Sequence, residues 1–256
     1  MRAACCEATV LRNEVIAPDI RLLTVVWPDR DHAPHAGQFF TLRAWGADEA
    51  PFLSRPISVH RWNPDSSTIE FLYQVVGEGT EKIAQLKMTD KFQLTGPMGN
   101  GFDVPDIVSK YKKIAVVGGG IGTAPLLLLC KELCRAGVRP DLFVGFRDTT
   151  YGMDRFVPWC RDIYAATDSG KEGHHGLVTD LLDVSKYDIV LTCGPMVMMR
   201  GVAKLCAAAG VPCLASLEKK MACGLGACLG CTCHTKIGPV TVCKDGPVFN
   251  AQEVFD

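Results

Sequence analysis

Four cysteines crowd the stretch MACGLGACLGCTC at residues 221–233, and a fifth, Cys243, follows shortly after. Cys223, Cys228 and Cys231 stand in a C-x4-C-x2-C arrangement, the spacing of plant-type [2Fe-2S] proteins. Cys243, after eleven intervening residues, supplies a fourth thiolate. Gly224, Gly226 and Gly230 let such a loop turn its backbone N–H groups toward sulfur, which tunes a cluster's potential. Zinc also accepts four thiolates. Structural zinc sites, however, usually draw on two closely spaced pairs, and only one C-x2-C is present here. Cys233 falls outside the four. His234 beside it does not make a Rieske site, which needs two histidines.

Two glycine turns suggest a second kind of chemistry. VVGGGIGTAP at 116–125 follows an apolar run and precedes a helical pattern. There the missing side chains let backbone approach a pyrophosphate at a helix N-terminus. Where the common dinucleotide fingerprint has its third glycine, this chain has Pro125. A second turn, TCGPMVMM at 192–199, ends a later strand in the same way, so both turns lie at the carboxyl edge of one sheet. From the sequence, Cys193 in that turn either faces a reacting nicotinamide or is a packed thiol. Upstream, RPISVH at 55–60 offers an arginine fork suited to phosphate, then a proline and a hydroxyl.

The rest of the chain must position these groups. Its 256 residues allow two modest domains and an appendage, and the composition is 48% hydrophobic and 21% charged. A net charge of −1 gives no general basic field for nucleic acid. The opening MRAACCEATVLRNE lacks the pattern of a secretion signal. The longest uncharged stretch, 114–130, is too short and too glycine-broken for a comfortable membrane span. The expectation is a cytoplasmic protein. In that reducing setting, clustered thiols among the thirteen cysteines bind metal or do redox work more often than they form disulfides. Cys130, Cys134 and Cys206 recur where helix interiors are expected and read as small buried apolar residues.

Up to about residue 103 the pattern is of short strands: EATVLRNEVI, IRLLTVVW, GQFFTLRAW, RPISVHRW, TIEFLYQVV and DKFQLTG. Turn signals separate them, and a short helix, TEKIAQLKM, lies before the last. An antiparallel barrel accounts for them. From Lys112 strands alternate with helices. KKIAVVG, DLFVGF, DIYAAT, YDIVLTCG and CLASL read as strands, and APLLLLCKELCRAG, GLVTDLL and PMVMMRGVAKLCAAAG as helices. That predicts a doubly wound parallel sheet with helices on both faces. The cysteine-rich tail is too small to bury a core and needs a staple.

The order RPIS, VVGEGT, GGGIGTAPL and CGP resembles the ferredoxin reductase superfamily, whose glycine loop typically runs Gly-x-Gly-x-x-Pro. With SLEKKMACGLGACLGCTC added, the chain resembles the electron-transfer subunits of two-subunit, NAD-dependent dihydroorotate dehydrogenases over essentially its whole length. The resemblance implies an FAD-binding β-barrel at 1–103, an NAD-binding doubly wound α/β domain at 104–215 and a C-terminal [2Fe-2S] module at 216–256. It places Arg55, Pro56, Ile57, Ser58, Leu72, Tyr73 and Gln74 along FAD, with Gly79 and Thr80 at its pyrophosphate. Gly118, Gly119, Gly120, Gly122, Thr123 and Pro125 would form the NAD loop, with Cys193, Gly194 and Pro195 near the nicotinamide. Ser58 and Cys193 become the catalytic candidates, and Cys223, Cys228, Cys231 and Cys243 the cluster ligands. Asp148 in GFRDT would meet an adenosine ribose, although Arg147 beside it equally suits a 2′-phosphate. The implied flow is NADH to FAD to cluster, and onward to an FMN-containing catalytic subunit in a heterotetramer. A related reductase subunit serving a hydrogenase or a ferredoxin–nicotinamide transhydrogenase would share every loop. A zinc-stapled binding module is the non-enzymatic alternative.

Overall fold

In the computed structural model, which describes residues 3–29, 31–236 and 238–255, the strand-rich half forms one seven-stranded antiparallel sheet. Its strands are β1 (Ala4–Ala17), β2 (Ile20–Val26), β3 (Phe39–Arg43), β4 (Arg55–Ser58), β5 (Arg61–Asn63), β6 (Thr68–Gln74) and β7 (Lys91–Met98), and the helix α1 (Glu78–Ala84) precedes β7. The order is β4-β3-β7-β1-β2-β6-β5. RPISVHRW, expected as one strand, is two. Between them the backbone changes partners: Val59 N–H donates to Gln38 O (3.0 Å) and His60 N–H to Glu70 O (2.9 Å). That crossing brings β4 beside β6 and curls the sheet into a barrel whose end strands β4 and β5 share no ladder. Alternating side chains fill its interior. Phe40 meets Trp27 and Phe71 edge-on, at centroid distances of 5.0 and 5.8 Å.

The second half is led by α2 (Val104–Lys110), which the sequence reading missed; Asp103 caps it by accepting from Asp106 N–H. The strands β8 (Ile114–Gly119), β9 (Asp141–Phe146), β10 (Ile163–Thr167), β11 (His174–His175), β12 (Ile189–Cys193) and β13 (Cys213–Ser216) are parallel. With β16 (Val248–Asn250) added antiparallel, the order is β11-β10-β9-β8-β12-β13-β16. Two helices provide crossovers: α3 (Leu126–Arg135) and α4 (Met196–Ala209). Along β8, Ile114 and Val116 join the core that is continuous with the barrel, whereas Ala115 and Val117 face α4. Both faces are therefore covered, as a parallel sheet requires. GLVTDLL is not a helix. It makes only a 3-10 turn at Val178–Asp180, where Asp180 accepts from Leu177 N–H at 2.8 Å, and Asp183 directly after it caps a second short turn at Val184–Lys186.

The tail has little core of its own. It contributes a hairpin, β14 (Thr232–Thr235) with β15 (Gly238–Thr241), then β16 and α5 (Ala251–Val254). β16 extends the parallel-sheet domain, and Asn100 at the end of the barrel holds the segment before it. Asn100 N–H donates to Gly246 O (2.6 Å), and its side-chain amide donates to Lys244 O (2.9 Å). Among the described residues, no helix is long and apolar enough to cross a membrane.

Phe40 is fully buried between Trp27 and Phe71. Phe40→Ala is expected to lower stability by about 3–5 kcal/mol in denaturant unfolding. A loss below about 1 kcal/mol would contradict the packing described.

Candidate functional site

β8 and β12 lie side by side at the centre of the parallel sheet, where the strand order reverses, and their carboxyl ends carry the two glycine turns. The turns touch. A Cβ on Gly122 would fall 2.4 Å from Gly194 Cα, so only glycine permits the contact. Gly118 and Gly119 end β8, and Gly120 and Gly122 turn with Thr123, whose hydroxyl donates to Gly120 O at 2.9 Å. Pro125 precedes α3 with φ −70°, which suits a proline at a helix start. Gly194 and Pro195 lead into α4. The open backbone amides at this edge suit a pyrophosphate.

Cys193 ends β12 opposite Ser216. Burial, reinforced by the Glu218 charge and opposed by the Ser216 hydroxyl, pushes its thiol up to about 12. It is a protonated packing and hydrogen-bonding group at neutral pH, with no thiolate nucleophile available. Arg147 and Asp148 follow β9 at the same edge. Asp148 pairs with Lys171 at 3.2 Å, and that contact holds its carboxyl below the usual range.

In the barrel, Arg55, Pro56, Ile57 and Ser58 lie half-buried along β4. The Arg55 guanidinium rests where a Cβ of Gly79 would be, 2.4 Å from its Nε, and stacks over Trp45 at 5.6 Å. Its Nη1 donates to Leu53 O. A side chain at position 79 would displace the guanidinium from this seat. Thr80 has its hydroxyl committed to the turn: it accepts from Val76 N–H (2.9 Å) and Gly77 N–H (3.2 Å) and donates to Gly77 O (2.8 Å). The side chain of Thr80 shapes the loop and leaves backbone to meet a phosphate.

Strand alternation sets Tyr73 on the face of β6 opposite Leu72 and Gln74. Leu72 faces out of the barrel, packed with Ile20, Leu22 and Ala124 of the glycine loop. Tyr73 points into the barrel core, where its hydroxyl donates to Asn13 Oδ1 at 3.1 Å and burial raises it to about 12. Gln74 is exposed. Leu72 packs against the glycine loop with Gln74 exposed further along the same face, whereas Tyr73 can offer a cofactor only its main chain. The period of two already implied this, since neighbours on a strand cannot share a face.

The cysteine loop packs on the flank of the same strands. β3 pairs Thr41 with Pro56, and Phe39 with both Ser58 and Met98. A Cβ on Gly224 would lie 2.8 Å from Met98 Sδ and 3.6 Å from Thr41 Cγ2. The four expected thiols stand as two pairs. Cys231 and Cys243 are 3.2 Å apart, and Cys228 hydrogen-bonds Cys223 through both N–H (3.4 Å) and side chain. Backbone donors point at the sulfurs: Leu225 N–H to Cys223 (3.4 Å), Gly226 N–H to Cys243 (3.1 Å) and Cys243 N–H to Cys231 (3.4 Å). Burial works against the Cys223 thiolate, yet the N–H groups of Leu225, Cys228 and Ala227 outweigh it and bring the thiol down to about 6. Cys243 is pushed up to about 12 by burial and by Cys231 beside it. Cys233 lies on β14, paired in register with Val240 and packed against the hydrophobic cluster that holds Cys231 and Cys243, and His234 is exposed.

Four thiols in two pairs, with N–H donors aimed at sulfur, fit a two-iron centre, one pair per iron. A single zinc needs its ligands converging on one point.

Residues 218–255 match the model of the iron-sulfur cluster binding domain of dihydroorotate dehydrogenase B. The chain is 47% identical over 219 residues to the dihydroorotate dehydrogenase B (NAD(+)) electron transfer subunit of Clostridium acetobutylicum, covering 86% of this chain and 85% of that one. The chain belongs to this family of electron transfer subunits. The Caldanaerobacter subterraneus subsp. tengcongensis member is 39% identical over 255 residues, with 97% of this chain and 98% of that one covered. Among solved structures, an NADH-dependent reduced ferredoxin-NADP oxidoreductase studied for flavin-based electron bifurcation superposes with a TM-score of 0.81 at 25% identity. The match covers 96% of this chain and 88% of that one. A Neisseria gonorrhoeae ferredoxin NADP+ reductase with bound FAD and NADP shares the fold, with a TM-score of 0.64 at 16% identity, covering 80% of this chain and 92% of that one.

Within this electron transfer subunit, sequence reasoning missed the groups that orient the expected ones. Trp45, sandwiched by Arg43 and Arg55, donates Nε1–H to Pro51 O at 2.6 Å and so fixes the platform under Arg55. Asn100 and Met98 seat the cysteine loop. The aromatic among arginines in TLRAW was the one available signal for Trp45; Asn100 gave none.

Gly122→Ala is expected to cost about 1–3 kcal/mol in thermal unfolding and to weaken NADH binding, because the added Cβ meets backbone. Unchanged values would show that the two turns do not touch. Cys228→Ser should remove bound iron while Cys233→Ser leaves it; the reverse pattern would mean a different ligand set. With its thiol at about 12, Cys193 has roughly one thiolate in ten thousand at pH 8. Iodoacetamide should therefore leave it unlabelled there and modify it only above about pH 10. Labelling at the rate of free cysteine at pH 8 would contradict the burial.

Proposed function

We propose that this chain is the NADH-facing half of a two-component dihydroorotate dehydrogenase, passing electrons between NAD(H), FAD and a [2Fe-2S] cluster. Flavin chemistry lies in 1–103, nicotinamide binding in 104–215 and the cluster in 216–256. The observation that carries this is adjacency. Leu72 of the flavin strand packs against the glycine loop on one side, and the cysteine loop packs on β7 and on β3, the strand that pairs with RPIS, on the other. A bound flavin exchanges hydride-borne electron pairs for single electrons, which links a nicotinamide to an iron-sulfur cluster.

The residues have separable tasks. Arg55, held by Trp45 and Gly79, neutralises the flavin pyrophosphate with the backbone of Thr80. Pro56, Ile57 and Ser58, together with Leu72, line the ring on the strands that close the barrel. Ser58, at the end of β4 toward the cysteine loop, offers its hydroxyl there. Gly118, Gly119, Gly120, Gly122, Thr123 and Pro125 bind the NAD pyrophosphate. Cys193, Gly194 and Pro195 form the nicotinamide wall, with Cys193 supplying a protonated thiol. Cys223, Cys228, Cys231 and Cys243 hold the cluster. Electrons leave to an FMN-containing catalytic subunit docked near the cysteine loop, in a cytoplasmic heterotetramer.

The test is anaerobic NADH oxidation with orotate, before and after adding the catalytic subunit from the same source. Turnover is expected only with both proteins present. A flavin- and iron-loaded protein that reduces dyes yet stays silent with that partner would reassign it to a hydrogenase or ferredoxin system. Arg55→Ala should purify with little FAD; full flavin content would remove Arg55 from the site.

A further inference from the structure

The helix that follows the glycine loop is fastened to the barrel by three polar contacts that neither pyrophosphate nor nicotinamide binding requires. At its head, Ala124 O accepts from His60 Nδ1 at 2.6 Å. Two turns on, Lys131 Nζ donates to Trp62 O at 2.7 Å, and next to it both carboxylate oxygens of Glu132 accept from Ala36 N–H at 3.2 Å. His60 and Trp62 flank and form β5, directly after the RPIS strand, and Ala36 leads into β3. The contacts span about 12 Å of helix axis, and Lys131 and Glu132 diverge by about 100° around it. A single contact would leave a pivot. Contacts at three heights and on two azimuths fix both pitch and roll.

Their chemistry makes a packing role insufficient. His60 and Lys131 are only 1% and 4% exposed. Burial pushes the imidazole down to about 3, so it is neutral and donates through Nδ1, which leaves Nε2 buried without a partner. A leucine or phenylalanine would fill the space with no orphaned nitrogen. Burial and the nearby Arg135 and Arg61 bring Lys131 down to about 8, where a methionine would pack at no electrostatic cost.

We propose that His60, Lys131 and Glu132 are positioning residues that hold the glycine loop at a fixed pitch against the flavin barrel. They thereby set the approach of the nicotinamide to the flavin ring. The inference rests on the functional reading above. The step they serve is hydride transfer, in which two electrons and one proton pass together from dihydronicotinamide to flavin, leaving NAD+ and reduced flavin. Small displacements of reacting groups cost large rate factors, so the cost falls on the transfer rate and much less on nucleotide affinity.

The experiment compares His60→Leu, Lys131→Met and His60→Asn in the complete FAD- and iron-loaded protein; Asn can still donate from the position of Nδ1. Amide exchange over residues 118–126 is measured without nucleotide, and flavin reduction by NADH is measured by anaerobic stopped flow. The first two variants should keep full FAD and iron. Exchange over the loop should rise about tenfold in them. The limiting reduction rate should fall about tenfold, with the NADH dissociation constant changed less than about twofold. His60→Asn should behave as the parent. Parent-like exchange and limiting rate in folded variants would overturn the proposal, as would rate losses that only track lost FAD. If the parent itself fails to reduce its flavin with NADH, the functional reading falls. In that case unchanged exchange would separately dismiss the fastening.

Discussion

A cysteine loop of this size has no core with which to hold itself, and its attachment to two larger domains governs the arrangement of everything else. Asn100 fastens the segment after Cys243 to the end of the barrel, while β16 is absorbed into the edge of the parallel sheet. Gly224 then lies against Met98 and Thr41, which places the thiols on the flank of β3 and β7. A tail that was only tethered would leave the distance from flavin strand to thiols undefined. Electron transfer between fixed centres depends on that distance.

The two larger domains divide the remaining work by kind of contact. At the sheet's switch point, recognition is left to backbone: the glycines remove side chains so that one turn can touch the other, and Cys193 is kept protonated by its surroundings. In the barrel one charged side chain is prepared in advance. Arg55 is pressed against Gly79, stacked on Trp45 and hydrogen-bonded to the Leu53 carbonyl, so little freedom is left for a ligand to remove. Between the domains, α3 and the residue that leads into it carry the barrel's polar contacts on two sides of the helix, with the glycine loop at its head.

Much of this was legible in the chain. The period-two runs of the first hundred residues gave the barrel strands, because one face is buried and the other is not. The short apolar run KKIAVVG before glycines gave β8 for the opposite reason, being buried on both faces. The helix expected from GLVTDLL stops after one turn, because Asp183 caps a second short turn directly after it. Tyr73 was grouped with Leu72, although alternation sends it into the core. β16 escaped notice because three residues, VFN, make a strand only when β13 offers an open edge. The cysteine spacing showed which thiols belong together but could not show their division into two pairs. That division depends on Gly224, Gly226 and the return from β15.

The most direct test of the account is anaerobic titration of the isolated, FAD- and iron-loaded protein with NADH, followed by visible absorption and low-temperature EPR. The account predicts that the flavin bleaches and that the paramagnetic signal of a reduced [2Fe-2S] centre appears with it. The same signal should be lost in Cys228→Ser, although its flavin still bleaches. A flavin that bleaches in the parent while the iron centre stays silent, or a preparation whose thiols hold a single zinc, would contradict it.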